Sequence, residues 1–314
     1  MRPHVIAGER VDQFQVEELV TSTPVASIFR AIDLRREQVV LIKFPNPDIE
    51  TDPVLSDRFK REEEIGSSLS HPGLLKVVDH DGHSRPYIVS EWFDGQLLRQ
   101  VLAANQKLTP ERAVKIALNI CDVLDYVENH GVFHRDLRPE NIMVGANDTI
   151  KLINFGTAAM IGARRITFTN LAQAVGISDY IAPEELGGKR ADARSDIYAV
   201  GVVLYEMLTG RTPFQGIDPF DRPGKKPEPP SQLAPTVSPQ LQEVIYRCLE
   251  TKPSERYANA HQLAHDLKHL DRVQVKKRGQ SAGSNLRSKR MFIYAGLALV
   301  PIVIFALLLL FARH

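Results

Sequence analysis

The densest gathering of side chains able to do chemistry is an unbroken run, His134-Arg135-Asp136-Leu137-Arg138-Pro139-Glu140-Asn141. It holds an imidazole, two guanidiniums, two carboxylates and an amide. Such groups can move a proton, neutralise an anion or help hold a hard cation. Further such polar groups stand elsewhere: Lys43 closes Val40-Leu41-Ile42-Lys43, Glu62 lies in a charged stretch ahead of His71-Pro72, and Asn154 opens Asn154-Phe155-Gly156. Cysteine offers no alternative centre. Cys121 and Cys248 are far apart and in no metal-ligand spacing, so they read as small core side chains in a reducing compartment.

The run 134–141 resembles the catalytic loop of the protein kinases, with Arg138 where that family usually has lysine. Lys43 matches the third-strand lysine and Glu62 the glutamate that pairs with it. Ala182-Pro183-Glu184 matches the end of the activation segment, Asp196 the buried aspartate of the next helix, and Arg256 the arginine that pairs with the segment's glutamate. The resemblance covers roughly residues 12 to 270. Through Arg256-Tyr257-Ala258-Asn259-Ala260 and the Leu-rich helix after it, the chain looks like bacterial serine/threonine kinases.

That resemblance implies an α+β, two-lobed fold, with a β-rich N-lobe over 12–93 and a helical C-lobe over 94–270. It implies a protein partner or substrate, and ATP with Mg²⁺ in an active member. Phosphoryl transfer rests on positioning and charge neutralisation. By position, Asp136 would accept the substrate hydroxyl's proton, Lys43 oriented by Glu62 would bridge phosphates, and Arg138 would stand near the γ-phosphate. Asn141 and Asn154 occupy the metal-binding positions. Ile28 would cover the nucleotide, Glu91 to Phe93 would form the hinge facing adenine, and Met143 would lie beneath the base.

Six departures cluster around this centre. The family's Asp-Phe-Gly is Asn154-Phe155-Gly156, which keeps an oxygen but loses the charge a hard divalent cation prefers. The three glycine positions of the phosphate-covering loop read Thr21, Thr23 and Ala26, and Pro24 removes a donor. Leu41 replaces a small residue against adenine, and Ile177 replaces a threonine that links the segment to the catalytic aspartate. Gly66 leaves a gap beside Phe155, and the stretch from Phe214 to Pro229 has little room for a docking helix.

Two readings follow. In one, the chain is a pseudokinase or very weak kinase that regulates or scaffolds another protein, with no cofactor or with metal-independent nucleotide binding. In the other it is an active serine/threonine kinase tolerating Asn154, with Thr167 and Thr169, beside Arg164 and Arg165, as phosphosites for Arg135 or as ordinary loop residues. A small-molecule phosphotransferase is a third class, disfavoured because Ala182-Pro183-Glu184 suits protein substrates.

The elements that must carry these residues are legible in part. Short β-rich runs at Phe14 to Val20, Ala26 to Ile32, Gln38 to Phe44, Leu74 to Asp79 and Tyr87 to Trp92 surround one charged helix, Pro53 to Leu69. Thr109 and Pro110 start a helix that Gly131 ends, and Asp196 to Leu208 is apolar nearly all round, as a central helix would be. Pro219 to Pro239 reads as loop and Gln240 to Leu270 as helical.

The 314 residues carry a net charge of +1, which gives no reason to expect a nucleic-acid partner. From Met291 to Phe311 the sequence is apolar, small or aromatic apart from Pro301 and the Tyr294 hydroxyl. A helix of roughly 21 residues spans about 30 Å, the thickness of bilayer hydrocarbon. Lys276, Lys277, Arg278, Arg287, Lys289 and Arg290 precede it within a 271–290 linker, which places the kinase-like part in the cytoplasm and the C-terminus across the membrane. The same cations would touch anionic lipid or serve purely as a topology signal.

Overall fold

Alternation of apolar and polar residues sets the first layer. A computed structural model describes residues 5–47, 52–80, 83–160, 179–188 and 192–276. Five strands, β1 (Arg10–Val11), β2 (Phe14–Ser22), β3 (Ala26–Asp33), β4 (Gln38–Pro45) and β5 (Ile88–Glu91), pair antiparallel in chain order. One face buries Phe14, Val16, Phe29, Ala31, Val40, Ile42, Phe44 and Val89. By the two-residue period of a strand, Leu41 and Lys43 stand on the other face, with Ile28 registered opposite Lys43 and Ser90 opposite Leu41.

The helix α1 (Pro53–Ser68) interrupts the strands and sends Ile65 into the larger core below, where Leu69, just past its end, joins it. The run from Leu74 to Asp79, expected as a strand, is not one. It makes isolated bridges to two different partners, Leu74 to Leu152 and Val77 to Ser90, so no continuous ladder forms. After Pro72 and Gly73 the chain therefore crosses between the sheet and the lower lobe.

The helical lobe begins with β6 (Gly95–Leu97), α2 (Leu98–Asn105) and α3 (Pro110–Asn129). Thr109 caps α3 by accepting the Arg112 N–H at 3.3 Å, and Ile116, Ile120, Val123, Leu124 and Val127 form its buried stripe. Strands β7 (Val132–Phe133), β8 (Ile142–Gly145), β9 (Ile150–Leu152) and β10 (Ala159–Met160) follow. Then come α4 (Pro183–Leu186), α5 (Ala193–Thr209), α6 (Pro230–Leu233), α7 (Pro239–Cys248) and α8 (Ala260–Lys268).

Every residue of α5 from Ser195 to Thr209 is buried, and α3, α7 and α8 pack around it. Gly210, with φ of 78°, ends it in the left-handed conformation that glycine adopts without a Cβ penalty. Two expectations need correction here. The Pro219 to Pro239 stretch contains the short helix α6, and Gln240 to Leu270 splits at Pro253 into α7 and α8. Between Phe214 and Pro229 there is one short 3₁₀ turn, Pro219–Asp221, and no α-helix. Residues 277–290 of the linker and the apolar run 291–311 lie outside the described residues.

Candidate active site

The loop between β7 and β8 is held from below. Both carboxylate oxygens of Asp196, on α5, accept main-chain N–H groups at 2.8 Å, one from His134 and one from Arg135. Those bonds anchor the positive φ of Arg135, 65°, a conformation that residues other than glycine adopt at a cost. Burial pushes Asp196 up to about 6, and the two N–H donors pull against it. His134 is fully buried, which pushes it down to about 4, and its ring meets Phe155 edge-on at 4.8 Å. The loop then turns through Pro139–Asn141 into β8.

This arrangement presents Asp136. Burial pushes its carboxyl up to about 6, against the pull of the Arg138 charge and of an Asn141 hydrogen bond. Asn141 Nδ2 donates to the Asp136 main-chain oxygen at 2.7 Å and to its Oδ2 at 2.9 Å. Across the cleft, Lys43 Nζ donates to both oxygens of Glu62, at 2.8 and 2.7 Å, joining β4 to α1. Lys43, Glu62, Asp136 and Asn141 thus form the two polar walls of one cleft.

Asn154 links to the lower wall. Its φ of 69° suits asparagine, which tolerates the left-handed region better than most residues. Its Nδ2 donates to Asn141 Oδ1 at 3.2 Å. The chain Asn154 to Asn141 to Asp136 therefore contains a single carboxylate, and the one acceptor atom of Asn141 faces an N–H. That donor set does not fit a magnesium ion, which prefers charged oxygens. No cluster of three or more His, Cys, Asp or Glu suited to a metal occurs among the described residues.

The loop that would cover phosphates is satisfied internally. Thr23 Oγ1 accepts the N–H groups of Val25 at 3.3 Å and Ala26 at 3.0 Å, and Thr23 N donates to Ala26 O at 2.9 Å. Asn46 Nδ2 clamps Thr23 O at 2.8 Å. The gap expected at Gly66 is filled: a Cβ there would meet Val77 Cγ2 at 2.3 Å. Leu41 has the small Ser90 as its cross-strand neighbour, so its extra bulk stands beside a short side chain. Ile177, Thr167, Thr169, Arg164 and Arg165 lie outside the described residues.

Other expected contacts take different partners. The Glu91 carboxylate accepts from Lys151 Nζ at 2.5 Å and from Lys76 N at 3.1 Å. The Phe93 ring covers Gly95 and Gly145, where a Cβ would come within 2.6 Å of it. These side chains brace the hinge, which leaves main chain as its offer to a base. Met143 lies half-buried in β8, opposite Leu97 and Lys151. Arg138 Nε donates to Glu140 at 2.8 Å, and that pair outweighs the cost of burial to raise the guanidinium's pKa.

Several participants escaped sequence reasoning. Glu140 is also bound by Arg99, which reaches Glu206 at 2.6 Å and the Tyr180 hydroxyl at 2.6 Å. Arg135 pairs with Glu185 at 3.3 Å, and burial pushes that glutamate up to about 7 despite the pairing. Arg58, one helical turn before Glu62, is buried beside Gly156. Its i, i+4 spacing from Glu62 was the available signal. Arg256 meets both oxygens of Glu184, at 2.7 and 2.8 Å, as the motif matches led one to expect.

With the geometry in hand, similarity to known proteins is specific. The model of the protein kinase domain family matches residues 14–267. A probable serine/threonine-protein kinase of Streptomyces coelicolor is 35% identical over 251 residues, covering 77% of this chain and 37% of that protein. The serine/threonine-protein kinase PknB of Mycolicibacterium smegmatis is 34% identical over 266 residues, covering 82% of this chain and 42% of PknB. The chain thus spans less than half the length of these relatives. The crystal structure of the Mycobacterium tuberculosis PknI kinase domain superposes with a TM-score of 0.67 at 23% identity, covering 85% of this chain and 99% of that domain. At that identity the likeness speaks for the fold, two lobes with a β-rich upper part.

Proposed function

This chain belongs to the protein kinase family, and from that premise we propose that it is a membrane-tethered regulatory or scaffolding module of serine/threonine-kinase type whose own phosphoryl transfer is impaired. The observation that carries the proposal is the bond from Asn154 Nδ2 to Asn141 Oδ1. An active member would need ATP and Mg²⁺, and here the two metal positions are both amides, one donating to the other. The internally bonded Thr23 turn supports the same reading, because main-chain N–H groups of that turn are already used. Such a module acts through its surface on a protein partner. The membrane tether rests on the apolar run 291–311 and the cations before it. Among the described residues no helix is long and apolar enough to cross a membrane.

A specific observation also favours a working serine/threonine kinase. The Lys43–Glu62 pair is bidentate and the Phe155 ring meets His134 edge-on, two contacts that favour a working cleft. Incorporation of γ-³²P from ATP by the full-length chain separates the two readings, with Asp136→Ala as the blank. The impaired reading expects wild type near the blank with Mg²⁺ or Mn²⁺. Turnover of about 1–100 s⁻¹, ordinary for kinases, would overturn it.

A further inference from the structure

One ammonium ties the hinge to the strand that leads to Asn154. Lys151 stands at the centre of β9, between Ile150 and Leu152, whose side chains enter the core. By the two-residue period of a strand its stem leaves on the opposite side, which it shares with its cross-strand partner Met143. Its Nζ donates to Glu91 Oε1 at 2.5 Å and to the Leu74 main-chain oxygen at 3.0 Å, and lies 5.8 Å from the centre of the Phe93 ring. Glu91 Oε1 also accepts the Lys76 N–H at 3.1 Å, and Glu91 N donates to Lys76 O at 2.9 Å.

An exposed lysine–carboxylate pair contributes little, because ordering a long stem costs entropy and water screens the charges. Lys151 differs from such a pair. Its side chain is 14% exposed, and its charge meets a carboxylate, a carbonyl and a ring face from separate stretches of chain. The two hinge residues it holds, Glu91 and Phe93, bound the main chain that would face a base, and Met143 is the residue that would lie beneath that base. We infer that Lys151 is a positioning residue of a nucleoside-binding hinge: acting through Glu91 and Phe93, it fixes the main chain of 91–93 for the edge of an adenine base. The inference rests on the family reading that places a base at this hinge, and it requires neither a metal nor phosphoryl transfer. Without the ammonium, the ligand itself would have to order the hinge on binding, which lowers affinity.

The test uses the full-length chain in detergent with EDTA, titrated calorimetrically with adenosine and with ATP, and the ligand-free melting temperature of each variant. Lys151→Met keeps an apolar stem and removes the charge. Adenosine and ATP are then expected to weaken by the same factor, about tenfold, the size of one charge-assisted contact. Lys151→Arg, which returns a cation, should recover most of that loss. So should Glu91→Gln added to the Met variant, because the amide still accepts from Lys76 N and leaves no carboxylate without its counter-ion. Should the Met variant fail to fold, Lys151→Gln is read against the same outcomes. Undiminished adenosine affinity in the folded variant would overturn the assignment, as would a wild type that binds neither ligand. A loss confined to ATP would also overturn it, by placing the action of the ammonium on the phosphates. Equal losses in the Met and Arg variants, or a Glu91→Gln loss that simply adds, would reduce Lys151 to a structural contact. Phosphoryl transfer at ordinary rates would sink the impaired-kinase reading and leave these affinities to be judged alone.

Discussion

Asn154 and Asn141 hold each other: the Nδ2 of one donates to the Oδ1 of the other at 3.2 Å, while the second amide's own N–H group binds Asp136. Both Nδ2 hydrogens of Asn141 are therefore used, and its Oδ1 already faces a donor before any cation arrives. Aspartate at 154 has no N–H to give, and two oxygens would face each other with room for a shared ion. The Asn154→Asp chain with Mg²⁺ is expected to transfer phosphate roughly 100- to 1,000-fold faster than wild type, the scale set by one preorganised electrostatic contact. Single-turnover radiolabel incorporation measures it, with Asp136→Ala in the same background removing the gain. If Asn154→Asp is no faster, the main defect lies elsewhere, first of all in the Thr23 turn.

That turn makes its own prediction. Thr23 Oγ1 binds the N–H groups of Val25 and Ala26, and each such bond contributes about 1 kcal/mol. Thr23→Gly removes both and restores the freedom of the backbone. Amide hydrogen exchange at Val25 and Ala26 should accelerate by about tenfold, and ATP affinity in the Asn154→Asp background should rise several-fold. Unchanged exchange would mean that Asn46, which clamps the Thr23 carbonyl, fixes the turn by itself.

Gly66 sits in the interior of α1, where glycine to alanine ordinarily stabilises by about 1 kcal/mol. Here the sign should reverse. A Cβ would stand 2.3 Å from Val77 Cγ2, so Gly66→Ala should lose about 1–3 kcal/mol by overpacking. Pairing it with Val77→Ala should recover most of that loss. Urea unfolding of the two single variants and the double variant gives the coupling, and additive losses would show that the two positions do not compete for the same space.

How far these features could be read from sequence differs by their range. The strands β2, β3 and β4 and the helices α1, α3 and α5 follow from alternation, capping and apolar stripes, which are local properties. The motif residues also landed in one cleft, because Lys43, Glu62, Asp136, Asn141 and Asn154 are placed by the family's topology. What local reasoning could not supply was partner choice. Val77 in the space beside Gly66, Thr23 capping its own turn, and Glu91 turned toward Lys151 depend on contacts between distant segments. The strand expected at Leu74 to Asp79 failed for the same reason: its composition is β-like, but its two ends pair with different partners.

Glu185 carries the last prediction. It follows the Ala182-Pro183-Glu184 motif, reaches Arg135 at 3.3 Å, and is nearly inaccessible. Burial, with the Asp196 charge adding to it, raises its pKa from 4.5 to about 7, and Arg135 offsets only part of the shift. A carboxyl whose folded pKa exceeds its unfolded value stabilises the fold while protonated. That contribution is full below about 4.5 and is lost as pH rises through about 7. Glu185→Gln mimics the protonated form at every pH. Wild type should therefore lose stability relative to the variant between pH 4.5 and 7, by on the order of 3 kcal/mol, and the difference should level off above that. Asp136, His134 and Glu140 are common to both chains and drop out of the comparison, whereas Asp196, whose charge acts on Glu185 and which titrates at about 6, contributes within the same window. Denaturant unfolding of both chains at pH 5 and pH 8 measures it. Parallel losses would mean that Arg135 keeps Glu185 ionised throughout, and the guanidinium would then be neutralised in the resting chain by a permanent carboxylate.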